Sequence, residues 1–423
     1  MIERETKAVI YMRNSSDEYF RDGVPGVERH ASAADATGTP HDSLNGIHIA
    51  FVANSSWSIL QYRGGIIRAL LDRGARVSII APPDRASEAL QHIGCEYHPL
   101  LLSARSTNPF ADWRCFRQLV GHYRRLRPDC AFQYTIKPNI YGSLAARLTG
   151  VPCIAVTTGL GFVFINDNLI ARIGRLLYRV SLQSPHQVWF LNADDRQEFL
   201  ARRLVAESRS FILPSEGIDP DYYAPTAPAN DSDGDFRFLL IARMLWDKGV
   251  LEYVEAARRI RARNPRVRFQ LLGPADVENP SSISRAQLHA WQDEDVVEYL
   301  GTAPDVRQAI ANADCVVLPS YREGVPRTLL EAASMGKPIV ATDVPGCRDV
   351  VRHGKTGLLC NARSAEALAA TLWEMASMDA LGRSQMGHAA REYVMTRFGQ
   401  ARIVDIYLGT IGAMIEARLA RPA

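Results

Sequence analysis

No stretch of 18 or more apolar residues occurs in the 423-residue sequence, so no segment reads as a helix able to span a bilayer. The opening MIERETKAVIYMRNSSDEYF is charged and lacks the apolar core of a secretory leader, which points to the cytosol. Cysteine is sparse, with seven residues and no C-x-x-C pair, so neither a disulfide framework nor a zinc site is indicated. Most of the seven stand among apolar neighbours, as in DCVVLPS, and read as small core hydrophobes. No internal repeat or low-complexity tract is present. Nucleic-acid signals are also lacking: GHYRRLRPD is a lone basic cluster without interleaved aromatics, and reads as a solvated helix end. Asp-x-Asp pairs in the linker at 215–235, Asp219/Asp221 and Asp233/Asp235 among them, would suit a metal, but turn formation accounts for them, so neither a metal nor another cofactor is expected.

What is present is a two-part α/β rhythm. Residues 1–44, rich in Ser, Asp, Gly and Ala, read as a flexible extension with no catalytic role. From NGIHIAFVAN onward, short apolar runs alternate with amphipathic stretches: HIAFVA, QYRGGIIRALLDRG, RVSIIAP, then DCAFQYT, PCIAVTT, QVWFLN and SFILP. That is the pattern of a parallel sheet with helices on both faces. A stretch dense in Pro, Asp, Gly and Ser at 215–235 interrupts it and reads as a linker. The rhythm restarts with FRFLLIAR, VRFQLLG, VVEYLG, CVVLPS and PIVAT, and ends in helices from about 364 to 420. The expected domains are therefore 45–214 and 236–423, two doubly wound Rossmann-like domains facing a central cleft.

The formal net charge of +3 conceals an asymmetry. Residues 45–215 hold 20 Lys+Arg against 11 Asp+Glu, or +9, whereas 1–44 (5 against 8) and 216–423 (24 against 27) are each −3. Either the first domain meets an anionic surface or substrate, or it carries a solvated basic face. In NLIARIGRLLYRVSLQ, helical spacing puts Leu169, Ile173, Leu176 and Val180 on one side and Arg172, Arg175 and Arg179 on another. Such a helix would pack its apolar side on the core or dip it into anionic headgroups.

The nonapeptide EGVPRTLLE, 323–331, poses a chemical question. Pro326 suits the first helical position, so a helix is expected from there to Gly336, with Glu323 on the preceding loop. Glu331 then stands in an apolar setting, where its charge needs hydrogen bonds: two ribose hydroxyls would supply them, and so would an arginine of its own domain. The helix N-terminus would welcome a phosphate and Glu323 a sugar, so the two carboxylates would bracket a nucleotide sugar. IARMLWDKGVLEYVEAA adds Arg243 and Lys248 at the carboxyl end of a strand, two cations able to hold a diphosphate as it leaves. In the first domain, NSSWSILQYRGG, YTIKPNIYG and TTGLGF are expected to face the same cleft, with Gly64, Gly65, Gly159 and Gly161 admitting close backbone approach. Tyr62, Arg63, Arg105, Asn108 and Lys137 would recognise an anionic, sugar-bearing acceptor.

IARMLWDKG, YLGTAPDV, ADCVVLPSYREGVPRTLLEAASMGKPIVATDVPG and GKTGLL, in that order, resemble the C-terminal half of retaining nucleotide-sugar glycosyltransferases of the GT-B fold, family four, which share an E-x7-E motif. The resemblance covers about residues 46–420. SARSTNPF, TTGLGF, ARMLWDKG and ADVENPSS look closest to members that extend polyprenyl-diphosphate-linked saccharides, such as bacterial N-acetylgalactosaminyltransferases. The resemblance implies catalytic roles for Glu323, Arg243 and Lys248: the two cations on the diphosphate and Glu323 on the donor-sugar hydroxyls. It puts Glu331 on the ribose, backbone near Leu272 and Gly301 on the base, and Gly324 with the amides of Arg327, Thr328 and Leu329 on the rest of the donor. Many members have glycine where this chain has Pro326, so one backbone donor is lost. The implied activity is a retaining transfer of a sugar, an N-acetylhexosamine, from a UDP-sugar to a polyprenyl-diphosphate-linked saccharide in surface glycan assembly. The implied location is cytoplasmic and peripheral, on an anionic membrane surface at the inner face of the cell membrane. Two other readings stay open: a nucleotide-sugar epimerase or hydrolase on the same scaffold, and a catalytically silent scaffold of a glycan-assembly complex.

Overall fold

The computed structural model of the chain describes residues 43–103, 108–160, 164, 169–228 and 234–420. The expected extension at 1–44 lies almost wholly outside them. Contacts divide the chain into two compact units, one ending at Asp219 and resuming at Thr396, the other formed by Pro220–Met395.

The first unit alternates strands and helices as β1 (His48–Val52), α1 (Ser56–Leu71), β2 (Arg76–Ala81), α2 (Ala86–His92), β3 (Glu96–Pro99), α3 (Pro109–Leu126) and β4 (Cys130–Tyr134). After a π-helical turn at Pro138–Gly142 come α4 (Ser143–Thr149), β5 (Cys153–Thr157), α5 (Leu169–Ser181), β6 (Gln187–Phe190), α6 (Ala193–Ala201) and β7 (Ser210–Ile212). The sheet is parallel with order β3-β2-β1-β4-β5-β6-β7. Every residue of β1, β4 and β5 is buried, which explains their continuous apolar runs. Right-handed crossovers put α1 and α2 on one face and α3 to α6 on the other.

The second unit runs β8 (Phe236–Ile241), α7 (Val250–Arg261), β9 (Val267–Leu272), α8 (Arg285–Asp293), β10 (Glu298–Tyr299), α9 (Arg307–Asn312) and β11 (Cys315–Leu318). It continues with α10 (Arg327–Ser334), β12 (Ile339–Thr342), α11 (Cys347–Val350), β13 (Leu358–Cys360), α12 (Ala365–Ser377) and most of α13 (Ala380–Phe398). Its sheet, also parallel, has the order β10-β9-β8-β11-β12-β13. All seven cysteines are buried free thiols, as their apolar neighbours suggest, and burial pushes the Cys95 thiol up to about 12.

One boundary differs from the sequence reading, which gives everything after 236 to the second domain. The last helix, α14 (Gln400–Leu419), packs on α1 of the first unit. Tyr407 enters that unit's core, 4.8 Å from the Phe132 ring and 5.0 Å from Trp189, and its hydroxyl meets that of Tyr134 at 2.8 Å. Gly65 makes room for this packing: a Cβ there would lie 2.1 Å from the side chain of Gln400. The close approach expected of Gly65 is thus made by a helix. α5 buries Ala171, Tyr178 and Ser181 and leaves Ile173, Leu176 and Val180 exposed, so of the two readings of this helix the one that packs that apolar side on the core does not hold. The side chain of Leu169 lies outside the description.

Candidate active site

In the second sheet the strand order reverses between β8 and β11, and parallel α/β sheets bind ligands at the carboxyl ends of such neighbouring strands. Arg243 and Lys248 follow β8; Glu323 follows β11. Two hydrogen bonds tie the loops together, from the Tyr321 amide (3.0 Å) and the Ser320 hydroxyl (3.3 Å) to the Asp247 carbonyl. Lys248 Nζ consequently donates to Glu323 Oε1 at 2.5 Å, with both side chains mostly enclosed. Two glycines hold this geometry. Gly249, at φ 72°, lies so close to Pro319 that a Cβ would meet its carbonyl oxygen at 2.0 Å. Gly346, at φ 82°, lies against the Glu323–Gly324 backbone, where a Cβ would meet the Gly324 oxygen at 2.4 Å. The Glu323 amide in turn donates to the Pro345 carbonyl at 3.2 Å. Arg243 is exposed and its side chain makes no hydrogen bond or ion pair among the described residues.

Pro326 occupies the N-cap of α10, one position earlier than expected, with ψ 112° and no side-chain cap. The Thr328 amide makes no hydrogen bond among the described residues, but the Leu329 amide, expected to serve a ligand, already donates to the Pro326 carbonyl at 3.1 Å. One turn on, Glu331 Oε1 accepts from Tyr223 Oη at 2.9 Å and Arg327 Nε at 3.0 Å. An arginine of its own domain therefore meets part of the need, and burial, opposed by Arg327, pushes the Glu331 carboxyl above the usual range. Leu272 is buried at the end of β9, and the Gly273 amide donates to the Gly301 carbonyl at 2.7 Å. A Cβ on Gly301 would meet nothing within 4 Å, so that backbone borders open space.

Sequence reasoning missed the stretch 220–223. Arg391 grips the Pro220 and Tyr223 carbonyls, each at 3.2 Å, which presents Tyr223 to Glu331. Beside it the Arg307 guanidinium lies 3.9 Å over the Tyr222 ring and pairs with Asp305 at 2.6 Å. Burial works against the charge of Asp305, but Arg307 outweighs it and holds the carboxyl below the usual range. The available signal was the aromatic pair in DYYAP, unusual inside a polar linker.

The expected acceptor residues fare less evenly. Arg63 is 2% exposed: it pairs with Glu216, donates to the Ser58 carbonyl at 2.9 Å and stacks 4.0 Å over Tyr134. It is an interior cation rather than a ligand-facing one, because α1 turns it inward. Gly64 is buried in the same helix, and Tyr62 is half-buried with its ring edge-on to Trp57. Asn108 caps α3 by accepting from the Phe110 amide at 3.0 Å, and Lys137 pairs with Asp112 at 2.6 Å. Gly159, at φ 146°, stands just after β5, with nothing within 4 Å of its Cβ position. Arg105 and Gly161 lie outside the described residues. Of the Asp-x-Asp pairs, Asp233 also lies outside them, and Asp235 pairs with Arg268. Among the described residues no group of three His, Cys, Asp or Glu is placed to hold a metal.

Residues 235–377 match the model of the group 1 glycosyl transferases, and 59–215 that of the glycosyl transferase 4-like domain. Over 337 residues the chain is 32% identical to the N,N'-diacetylbacillosaminyl-diphospho-undecaprenol alpha-1,3-N-acetylgalactosaminyltransferase of Campylobacter jejuni, covering 76% of this chain and 87% of that one. The chain is a member of this glycosyltransferase family. An Escherichia coli UDP-Gal:alpha-D-GlcNAc-diphosphoundecaprenol alpha-1,3-galactosyltransferase is 24% identical, covering 57% and 66% of the two chains. The transferase also superposes on Anabaena HepE, solved with UDP and glucose, with a TM-score of 0.72 at 18% identity over 86% of this chain and 99% of that one. Its fold is GT-B, as its sequence motifs imply.

Proposed function

We infer that this transferase moves an N-acetylhexosamine from a UDP-sugar to a polyprenyl-diphosphate-linked saccharide, with retention, at the inner face of the cell membrane. The observation that carries the reading is the enclosed Lys248–Glu323 pair at the switch point of the second sheet, beside Arg243, whose side chain has no partner among the described residues, and the start of α10, which has no side-chain cap. The Campylobacter and Escherichia relatives, whose names give undecaprenol-diphosphate acceptors, support the acceptor class.

Arg243, Lys248 and the Thr328 amide would hold the donor diphosphate, and Glu323 the sugar hydroxyls. Glu331, steadied by Tyr223, would take the ribose, with the base against the open backbone at Gly301. As the bond from the anomeric carbon to the β-phosphate oxygen breaks, its electron pair stays on the phosphate, whose charge the two cations stabilise. The acceptor hydroxyl forms its bond on the same face and gives its proton to a phosphate oxygen. Because fixed cations and a helix N-terminus neutralise the leaving group, transfer should survive EDTA; loss of turnover restored by a divalent cation would overturn that part.

The test incubates the full chain with a panel of UDP-sugars, with and without short polyprenyl-diphosphate saccharides, following UDP release and product mass. Release that requires the acceptor, with one hexosamine gained in mass, supports the reading. Acceptor-independent release would replace it with a hydrolase or epimerase, and binding without release with a silent scaffold.

A further inference from the structure

Single apolar side chains on a surface mean little, but clusters mark interfaces. Among the described residues sixteen large apolar side chains are exposed, and five of them fall on α3 and α5: Phe110 (67%), Trp113 (49%), Ile173 (51%), Leu176 (59%) and Val180 (47%). On α5 the three recur at i, i+3 and i+7, one stripe turned away from the core that Ala171 and Tyr178 enter. On α3 the Phe110 and Trp113 rings lie 5.9 Å apart on the first turns. The two helices share a face of the first sheet, and both touch the π-helical turn between them.

Among the described residues, the exposed charge on these two helices has one sign. Arg114 and Arg117 continue the α3 stripe, the latter 4.7 Å over the Trp113 ring, and Arg172 and Arg179 flank the α5 stripe. No acidic residue occurs in Leu169–Ser181, and Asp112, the one carboxylate of α3, is turned inward to Lys137 and Tyr141. Two helices that interleave exposed aromatic and aliphatic side chains with guanidinium groups suit an anionic bilayer, into which the apolar groups insert while exposed arginines meet phosphates. A water-soluble acidic protein would satisfy the arginines but gains no such insertion depth for five separate side chains on two helices.

We propose that α3 and α5 form one membrane-docking face that seats the first unit on anionic phospholipid. Both helices begin at the carboxyl edge of the first sheet, the edge from which Lys137 and Gly159 also follow their strands. Docking there presents that edge to an acceptor anchored in the same bilayer. This assignment rests on the proposed lipid-linked acceptor only for its purpose; the surface itself is argued from exposure and charge.

The experiment sediments the full chain with vesicles of phosphatidylcholine alone or with 30% phosphatidylglycerol, the composition being chosen for charge contrast. The expected result is partition to the anionic vesicles, weakened by salt. The double variant Ile173→Glu/Leu176→Glu, and separately Phe110→Ser/Trp113→Ser, should each partition at least about tenfold less while keeping the far-UV spectrum. Arg114→Gln/Arg117→Gln should bind anionic vesicles about tenfold less and neutral ones unchanged. No partition of the parent chain, or variants that bind as it does, would overturn the proposal. Light scattering that shows a dimer broken by Ile173→Glu/Leu176→Glu would overturn it in favour of self-association. Transfer to a short, water-soluble acceptor, measured in parallel, should be unchanged in the variants. If the parent chain binds vesicles yet transfers nothing, the docking face stands and the transfer reading falls.

Discussion

An ammonium and a carboxylate 2.5 Å apart act as one unit, because removing either leaves the other's charge mostly enclosed without its partner. Glu323→Ala and Lys248→Ala are therefore expected to lower turnover by at least about tenfold each while the far-UV spectrum stays native. Turnover equal to the parent chain in either variant would remove the pair from the mechanism. Both residues were legible in the sequence, since each stands at the carboxyl end of an apolar run, beside a glycine or before a helix-starting proline. Arg63 was not legible. An arginine in QYRGG looks like a cation offered to a ligand, and nothing local reveals that Glu216, 153 positions on, awaits it inside the fold. Tyr223 was missed for the same reason: its partner Glu331 lies 108 positions away.

Elements built from continuous apolar runs were legible because strands buried on both faces need them. Edge strand β3 was not, since EYHP carries polar side chains along one side of the sheet. Those side chains form a titratable cluster across β1, β2, β3 and α3. His48 meets the Ser78 hydroxyl at 2.8 Å, His98 meets it at 3.2 Å, and Arg125 donates to both His98 and His122, at 3.3 and 3.2 Å. Burial lowers all three histidines; Arg76 adds to this at His48, His122 and Arg125 at His98, and Arg125 at His122, while Glu96 and Asp129 oppose it at His48. Their folded values lie below the unfolded value of about 6.5, so the unfolded chain binds protons first and stability falls as pH drops below about 6.5. Denaturant midpoints at pH 8 and 5.5 should differ in that sense, and His98→Gln should narrow the gap; an unchanged gap would remove His98 from the cause. A second prediction belongs to the loop after β12. Gly346→Ala places a Cβ against the Gly324 carbonyl at positive φ, so the Glu323 loop must shift. Turnover should fall about tenfold or more, with a loss of stability of about 1–3 kcal/mol; parent-like kinetics would show that the loop is not held from this side.

At the scale of the molecule the two sheets were legible and the ownership of the last helix was not. An apolar stripe tells that a helix packs, but not on which of two similar sheets. Tyr407 decides it, through Phe132, Trp189 and the Tyr134 hydroxyl. Tyr407→Ala should lower stability by about 3–5 kcal/mol, as for other large aromatic truncations, measured by denaturant unfolding. A chain ended after Gly399 should yield little soluble protein, and soluble, cooperatively melting protein would contradict the assignment. The same helix sets an order of events during synthesis. Ribosomes release chain from the N-terminus at roughly 5–20 residues per second, and domains usually fold in that order. Here the first unit lacks a piece of its core until Gln400–Leu419 emerges, while Pro220–Met395 is already complete. The later-encoded unit can thus finish folding first, and the earlier one waits, partly open, for a helix encoded after both.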